Sequence, residues 1–107
     1  MTSVSLPNSL EIDPVLLKKA SLPFRAVNND FRRKILQLIH QNKQMMVRDI
    51  YVKLRSDQSK TSVHLAILRQ VNLVIANREG KKVFYSINYE QLSHVKKMAE
   101  QLLKKTA

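Results

Sequence analysis

Gln58, Ser59, Ser62 and His64 lie close together in the stretch QSKTSVHLAILRQVNLV, which runs from Gln58 to Val74. Stepping its residues by about 100° each gathers His64, Leu65, Ile67, Leu68 and Val71 on one broad arc. Gln58, Ser59, Ser62, Val63, Ala66 and Arg69 fall on the other side. The pattern is that of one amphipathic helix running into a strand. The outward face of its first two turns is small and polar and carries no carboxylate. Short hydroxyl and amide side chains near a helix N-terminus can reach base edges while the backbone stays close to a DNA major groove. An ordinary packed helix with a Ser-rich start would look the same in isolation. His64, on the inner arc, is expected to support the helix or to touch a phosphate.

Other chemistry finds few residues to work with. There is no Cys, which excludes disulfides, thiolate nucleophiles and thiol sensors. His40, His64 and His94 are far apart and form neither a His-x-x-x-His nor a Glu-x-x-His arrangement. Packing or surface roles for them are favoured over a zinc site built across a dimer. Met45 and Met46 read as core fillers rather than a ligand pocket, and one glycine in the whole chain leaves nothing to cradle a nucleotide. The reading is therefore no enzyme, no cofactor and no metal. No apolar run approaches a membrane span, and the N-terminus lacks a signal-peptide core, so a soluble cytoplasmic protein is expected.

Charge points to a partner. Of 107 residues, 19 are Lys or Arg and 8 are Asp or Glu, giving +11. Residues 1–30 carry three of each sign, whereas residues 31–60 carry eight basic and two acidic groups, and residues 61–107 eight and three. Nucleic acid or an anionic surface is the expected partner of everything after the first helix.

The elements that must position the Gln58–Val74 stretch follow in chain order. Residues 1–12 read as a loose arm. Asp13-Pro14 starts a helix whose stripe of Leu16, Leu17, Ala20, Phe24 and Val27 meets Pro23, so it is either kinked or split there. Asn28-Asn29-Asp30 breaks and caps into FRRKILQLIHQN, with Phe31, Ile35, Leu38 and Ile39 inward. Arg32, Arg33 and Lys34 crowd its first turn against the macrodipole, which a nearby phosphate or plain solvation would offset. A short helix, VRDIYVKLR, turns through Ser56-Asp57 into the opening stretch, with Asp57 as N-cap. Two helices so joined form a helix-turn-helix. Strands around Leu73–Ala76 and Val83–Ile87 flank Asn77–Lys82. Gly80 supplies the turn, and Arg78, Lys81 and Lys82 form a basic tip, as in a winged helix. Residues 89–105 form a last helix with Leu92, Val95, Ala99 and Leu102 spaced like a coiled-coil seam.

Three ordered matches make the chain resemble an ArsR-family winged-helix repressor over roughly residues 13–105. LRSDQSKTSVHLAILRQVNLV, from Leu54, is similar to the family's LGLSQSTVSRHLKVLREAGLV through Gln58, Ser59, Ser62, His64, Leu65, Leu68, Arg69, Leu73 and Val74. FRAVNNDFRRKILQLI resembles FKALSDPTRLRILELL through Phe24, Ala26, Arg32, Ile35 and Leu36. REGKKVFYSI resembles the wing pattern REGRWVYYSL through Arg78, Glu79, Gly80, Val83, Tyr85 and Ser86. Arg55 and Asn72 stand where the family has glycine, and Val63 where it has arginine. The family's Cys-x-Cys metal site falls on Met46 and Arg48. Its last-helix metal site falls on Tyr89, Gln91, Leu102 and Lys105, so the resemblance implies neither site here.

The expectation is a mainly α, dimeric winged helix-turn-helix of about five helices plus a two-stranded wing, as a single domain over 1–107. It would be a sequence-specific transcriptional regulator, a repressor binding an inverted-repeat operator in double-stranded DNA as a homodimer. The recognition helix is about 58–71, with Gln58, Ser59, Lys60, Ser62, Val63, His64 and Arg69 at the DNA, and the basic wing spans 78–82. The dimer would form through helices 13–27 and 89–105, at Leu16, Ala20, Phe24, Leu92, Val95, Ala99 and Leu102. A nucleic-acid binder without sequence preference and a protein-interaction module are the alternatives. The inducer is left open.

Overall fold

Asn29 ends one helix and starts the next. Its side-chain oxygen accepts the Arg32 backbone N–H at 2.9 Å, satisfying one of the amides that a helix start leaves free. The computed structural model describes residues 22–106, with side chains as far as Gln101. The order is α1 (22–27), α2 (Asp30–Asn42), β1 (Gln44–Met45), α3 (Val47–Lys53), α4 (Gln58–Gln70), β2 (Val74–Glu79), β3 (Lys82–Ile87) and α5 (Tyr89–Thr106). The 1–12 arm, Leu16, Ala20 and the Leu102 side chain lie outside the described residues. Pro23 lies within α1, and what would decide between a kink and a split precedes the described residues.

Helix starts and stops follow local chemistry. Asp57 caps α4, its carboxylate accepting the Lys60 N–H at 2.8 Å. Both α3 and α4 end in Schellman motifs. In α3, Arg55 and Ser56 donate to the carbonyls of Val52 and Tyr51 at 3.1 and 2.9 Å. In α4, Asn72 and Leu73 donate to those of Arg69 and Leu68 at 3.0 and 2.9 Å. The motif needs a left-handed residue after each helix. Arg55 (φ 53°) and Asn72 (φ 62°) take that conformation, at the two places where the family string carries glycine.

The core lies between the inner faces of α2 and α4 and the sheet. Ile35 and Ile39 of α2, Ile50 of α3, Leu65 and Leu68 of α4, and Leu73 are essentially solvent-free. Burying each such side chain contributes about 1.5–3 kcal/mol. Met45 joins this core as a filler. Val95 of α5 is buried in it too, at 5% exposure, with Phe24 and Leu92 packed alongside. Val95, expected at the dimer seam, is instead committed to the core of its own chain. Phe24, Leu92 and Ala99, all half-buried, are the described members of that stripe with surface left to offer.

The wing differs from its expected outline in two ways. It is a three-stranded antiparallel sheet in the order β1-β3-β2, because Gln44 and Met45 pair with Ser86 and Tyr85. The hairpin is also longer than its apolar residues suggest. Ladder pairs run from Val74↔Ile87 out to Arg78↔Val83 and Glu79↔Lys82, so only Gly80 and Lys81 form the turn. Gly80 has φ 63°, the positive value a two-residue hairpin turn requires at its first central position.

Candidate nucleic-acid interface

Leu65 and Leu68 anchor α4 from inside, and Thr61 is buried on the same side. That commits one face and leaves the other uncommitted. Gln58, Ser59, Lys60, Ser62, Ala66 and Arg69 are exposed, and Val63 is 59% exposed. Lys60 does not extend freely, since its Nζ lies 4.4 Å from the centroid of the Phe31 ring, a cation–π contact.

His64 faces inward, half-buried, with its ring 4.9 Å from that of Phe31. Its Nδ1 is 3.1 Å from Nη1 of Arg32. Guanidinium can only donate, so Nδ1 accepts and the ring proton sits on Nε2. Burial first, then the charges of Arg32 and Lys60, hold the His64 pKa below its ordinary value. His64 is therefore a neutral strut in the protein itself, with Nε2–H as its remaining donor.

The arginines at the start of α2 are engaged with carbonyls. Arg32 donates through Nε to the Ala26 carbonyl at 2.6 Å and through Nη2 to that of Arg25 at 3.1 Å. Arg33 donates to the Val27 carbonyl at 2.9 Å and pairs with Asp30. They satisfy the last carbonyls of α1, which a helix end leaves open. These carbonyls offset the unfavourable placement of Arg32 and Arg33 at a helix N-terminus, while Arg33 and Lys34 remain exposed to solvent. Arg32 ties α1, α2 and α4 together at one guanidinium.

On the wing the three basic residues separate. Side chains alternate along a strand, so Arg78 shares a sheet face with its partner Val83, and with Tyr85 and the buried Val74 and Ile87. Lys82 lies on the other face beside Glu79, and Lys81 occupies the turn. Lys81 is the basic residue of the turn, Lys82 stands on the first rung below it and Arg78 on the second. A groove of about 350 Å³ lined by Ser62, Leu65, Ala66, Arg69, Gln70 and Tyr85 separates the outer side of α4 from the wing root. Tyr85, not among the site residues expected from the sequence, lines this groove, and its period-2 relation to Ile87 was the available signal. Phe31 and Arg32 were missed as supports, having no local cue for partners on α4.

Among the described residues, no three His, Cys, Asp or Glu side chains gather as a metal site would require. Tyr89 and Gln91 have other bonds. The Tyr89 hydroxyl is 2.8 Å from His40 Nδ1, and Gln91 Nε2 donates to the Val71 carbonyl at 2.9 Å, securing the end of α4. No described helix is long and apolar enough to cross a membrane.

A helix-turn-helix followed by an antiparallel hairpin, with the second helix exposed beside it, defines a winged helix. Residues 29–76 match the model of the bacterial regulatory protein family arsR. An HTH-type transcriptional regulator of Methanocaldococcus jannaschii is 33% identical over 85 residues, 79% of this chain and 96% of that protein. The transcriptional repressor PagR of Bacillus anthracis is 32% identical over 90 residues, 84% of this chain and 83% of the relative. Its crystal structure superposes with a TM-score of 0.64, covering 80% and 99% of the two chains at 25% identity. The homodimeric winged helix-turn-helix DNA-binding domain of Mycobacterium bovis gives 0.69, covering 89% of each at 25% identity. The chain belongs to the arsR family of winged-helix transcriptional regulators.

Proposed function

We propose that this protein is a sequence-specific repressor that binds an inverted-repeat operator as a homodimer. The carrying observation is the uncommitted outer face of α4, where Gln58, Ser59, Ser62 and Val63 are exposed on a helix fixed from within. In this reading α4 enters the major groove and those four side chains meet base edges. Arg69, Arg78, Lys81 and Lys82 hold the backbone, which fixes register without reading sequence. Lys60 and His64 serve as supports, His64 with Nε2–H to spare for a phosphate. The names borne by its relatives, PagR among them, support repression, and the M. bovis neighbour supports a two-fold assembly. Dimer contacts would involve Phe24, Leu92 and Ala99.

The test is selection from a random duplex pool with the full chain at about 100 mM salt. Enrichment of a two-fold-symmetric site is the expected result. Binding that is tight, steeply salt-dependent and indifferent to sequence would replace it with a non-specific nucleic-acid binder. No duplex binding at all would leave a protein-interaction module.

A further inference from the structure

Val63 holds the centre of the outer face of α4. Its isopropyl group is 59% exposed, with exposed Ser59 one turn before it and exposed Ala66 almost one turn after. The surrounding chemistry is one-sided. Among Gln58, Ser59, Ser62, Val63 and Ala66 there is no cation, and Lys60 rests on the Phe31 ring. Guanine is read most strongly by Arg or Lys reaching O6 and N7. The first two turns of α4 lack such a reader, and Arg69 comes only in the third. What they present instead is an apolar strip, Val63 beside Ala66, bordered by hydroxyls. In the major groove only thymine displays an apolar group, its C5 methyl. The strip has no role inside the protomer, because the core is filled from the opposite face by Leu65 and Leu68.

We propose that Val63 is a specificity-determining residue that selects thymine at one step of each half-site by packing its isopropyl group against the thymine methyl. This rests on the major-groove reading of α4 given above. Ser59 and Ser62 then supply the hydrogen bonds to neighbouring bases, and the half-site is poor in guanine where α4 begins.

The experiment uses the full chain and the best duplex from the random-pool selection. Each thymine is replaced in turn by deoxyuridine, which removes the methyl and nothing else, and the affinity is measured for the unmodified protein and for Val63→Ala. One thymine per half-site should lose about fourfold in affinity with the unmodified protein, the worth of one buried methyl-sized group. With Val63→Ala the same replacement should cost nothing, while penalties elsewhere stay the same. A second variant, Val63→Arg, should move the selected base at that step from thymine to guanine. Identical deoxyuridine profiles for the unmodified protein and Val63→Ala, or an unmoved preference in Val63→Arg, overturn this assignment alone. Failure of the pool to yield any enriched duplex overturns the major-groove reading, and this assignment with it.

Discussion

Thr61 carries a hydroxyl with no exposure and, among the described residues, no hydrogen-bond partner. An unsatisfied buried hydroxyl costs about 1–3 kcal/mol, so Thr61→Val, which keeps the shape, should gain about 1 kcal/mol. Thermal unfolding should show a rise in Tm of about 4–8 °C per kcal/mol; a fall would show that the hydroxyl is satisfied in solution. His64 gives the second expectation at this scale. Its pKa lies below the ordinary value, through burial and then the Arg32 and Lys60 charges. The unfolded chain thus takes up this proton before the folded one does. Stability is full above about pH 6.5, the ordinary imidazole value. It declines as pH falls towards the folded pKa and levels off below it. Tm measured from pH 7.5 to 5 should fall less steeply in His64→Gln than in the unmodified protein, and equal slopes would remove the idea. Thr61 was assigned to neither arc from the sequence, although it stands four and seven residues before Leu65 and Leu68 and so shares their side. The Arg32–His64 bond was not legible, because nothing local in either segment announces a partner 32 positions away.

Among the elements, the helix ends and the wing carry the sharpest expectations. A left-handed residue with a Cβ is strained by about 1–2 kcal/mol, while glycine loses about 0.5–1 kcal/mol more in backbone freedom on folding. Arg55→Gly should therefore stabilise by about 0.5–1 kcal/mol, and Asn72→Gly by less, because asparagine tolerates this conformation better. Denaturant midpoints would read the difference, and loss of stability in both would contradict the strain. For DNA binding, Lys81→Ala with Lys82→Ala should weaken all duplexes about equally and lower the salt slope by roughly two per subunit. Ser62→Ala should instead change base preference. Equal loss of specificity in the two variants would defeat the division between wing and helix. The helices could be read from the sequence because caps such as Asn29 and Asp57 and the apolar stripes are local signals. β1 could not, since two residues have no period and Met45 is as much at home in a helix. The outer rungs escaped notice because Asn77, Arg78 and Glu79 look like a loop; their ladder partners, not their own propensity, make them strand.

For the molecule as a whole, charge and assembly decide what can be measured first. In the proposed function, a net charge of +11 should make association with DNA fast and sensitive to salt. Sedimentation at micromolar concentration is expected to show a dimer, and a monomer there would remove the two-fold operator from the proposal. The family resemblance carried the overall architecture because three motifs stood in the right order. The allocation of Val95 to the core rather than to a partner depended on how α5 lies, which no single motif encodes. One small feature has a mechanical result. β1 grips β3 only at Ser86 and Tyr85, so the hairpin is clamped on both sides at its base. Beyond it projects about 10 Å of two-stranded ribbon, three residues at about 3.4 Å each. Such a cantilever bends near its free end and stays stiff where it meets the body. Amide protons near Tyr85 and Ile87 should exchange with deuterium slowly and those around Gly80 quickly. In the proposed complex Lys81 would then follow a phosphate backbone that widens or narrows from one site to the next, while α4 kept its seat.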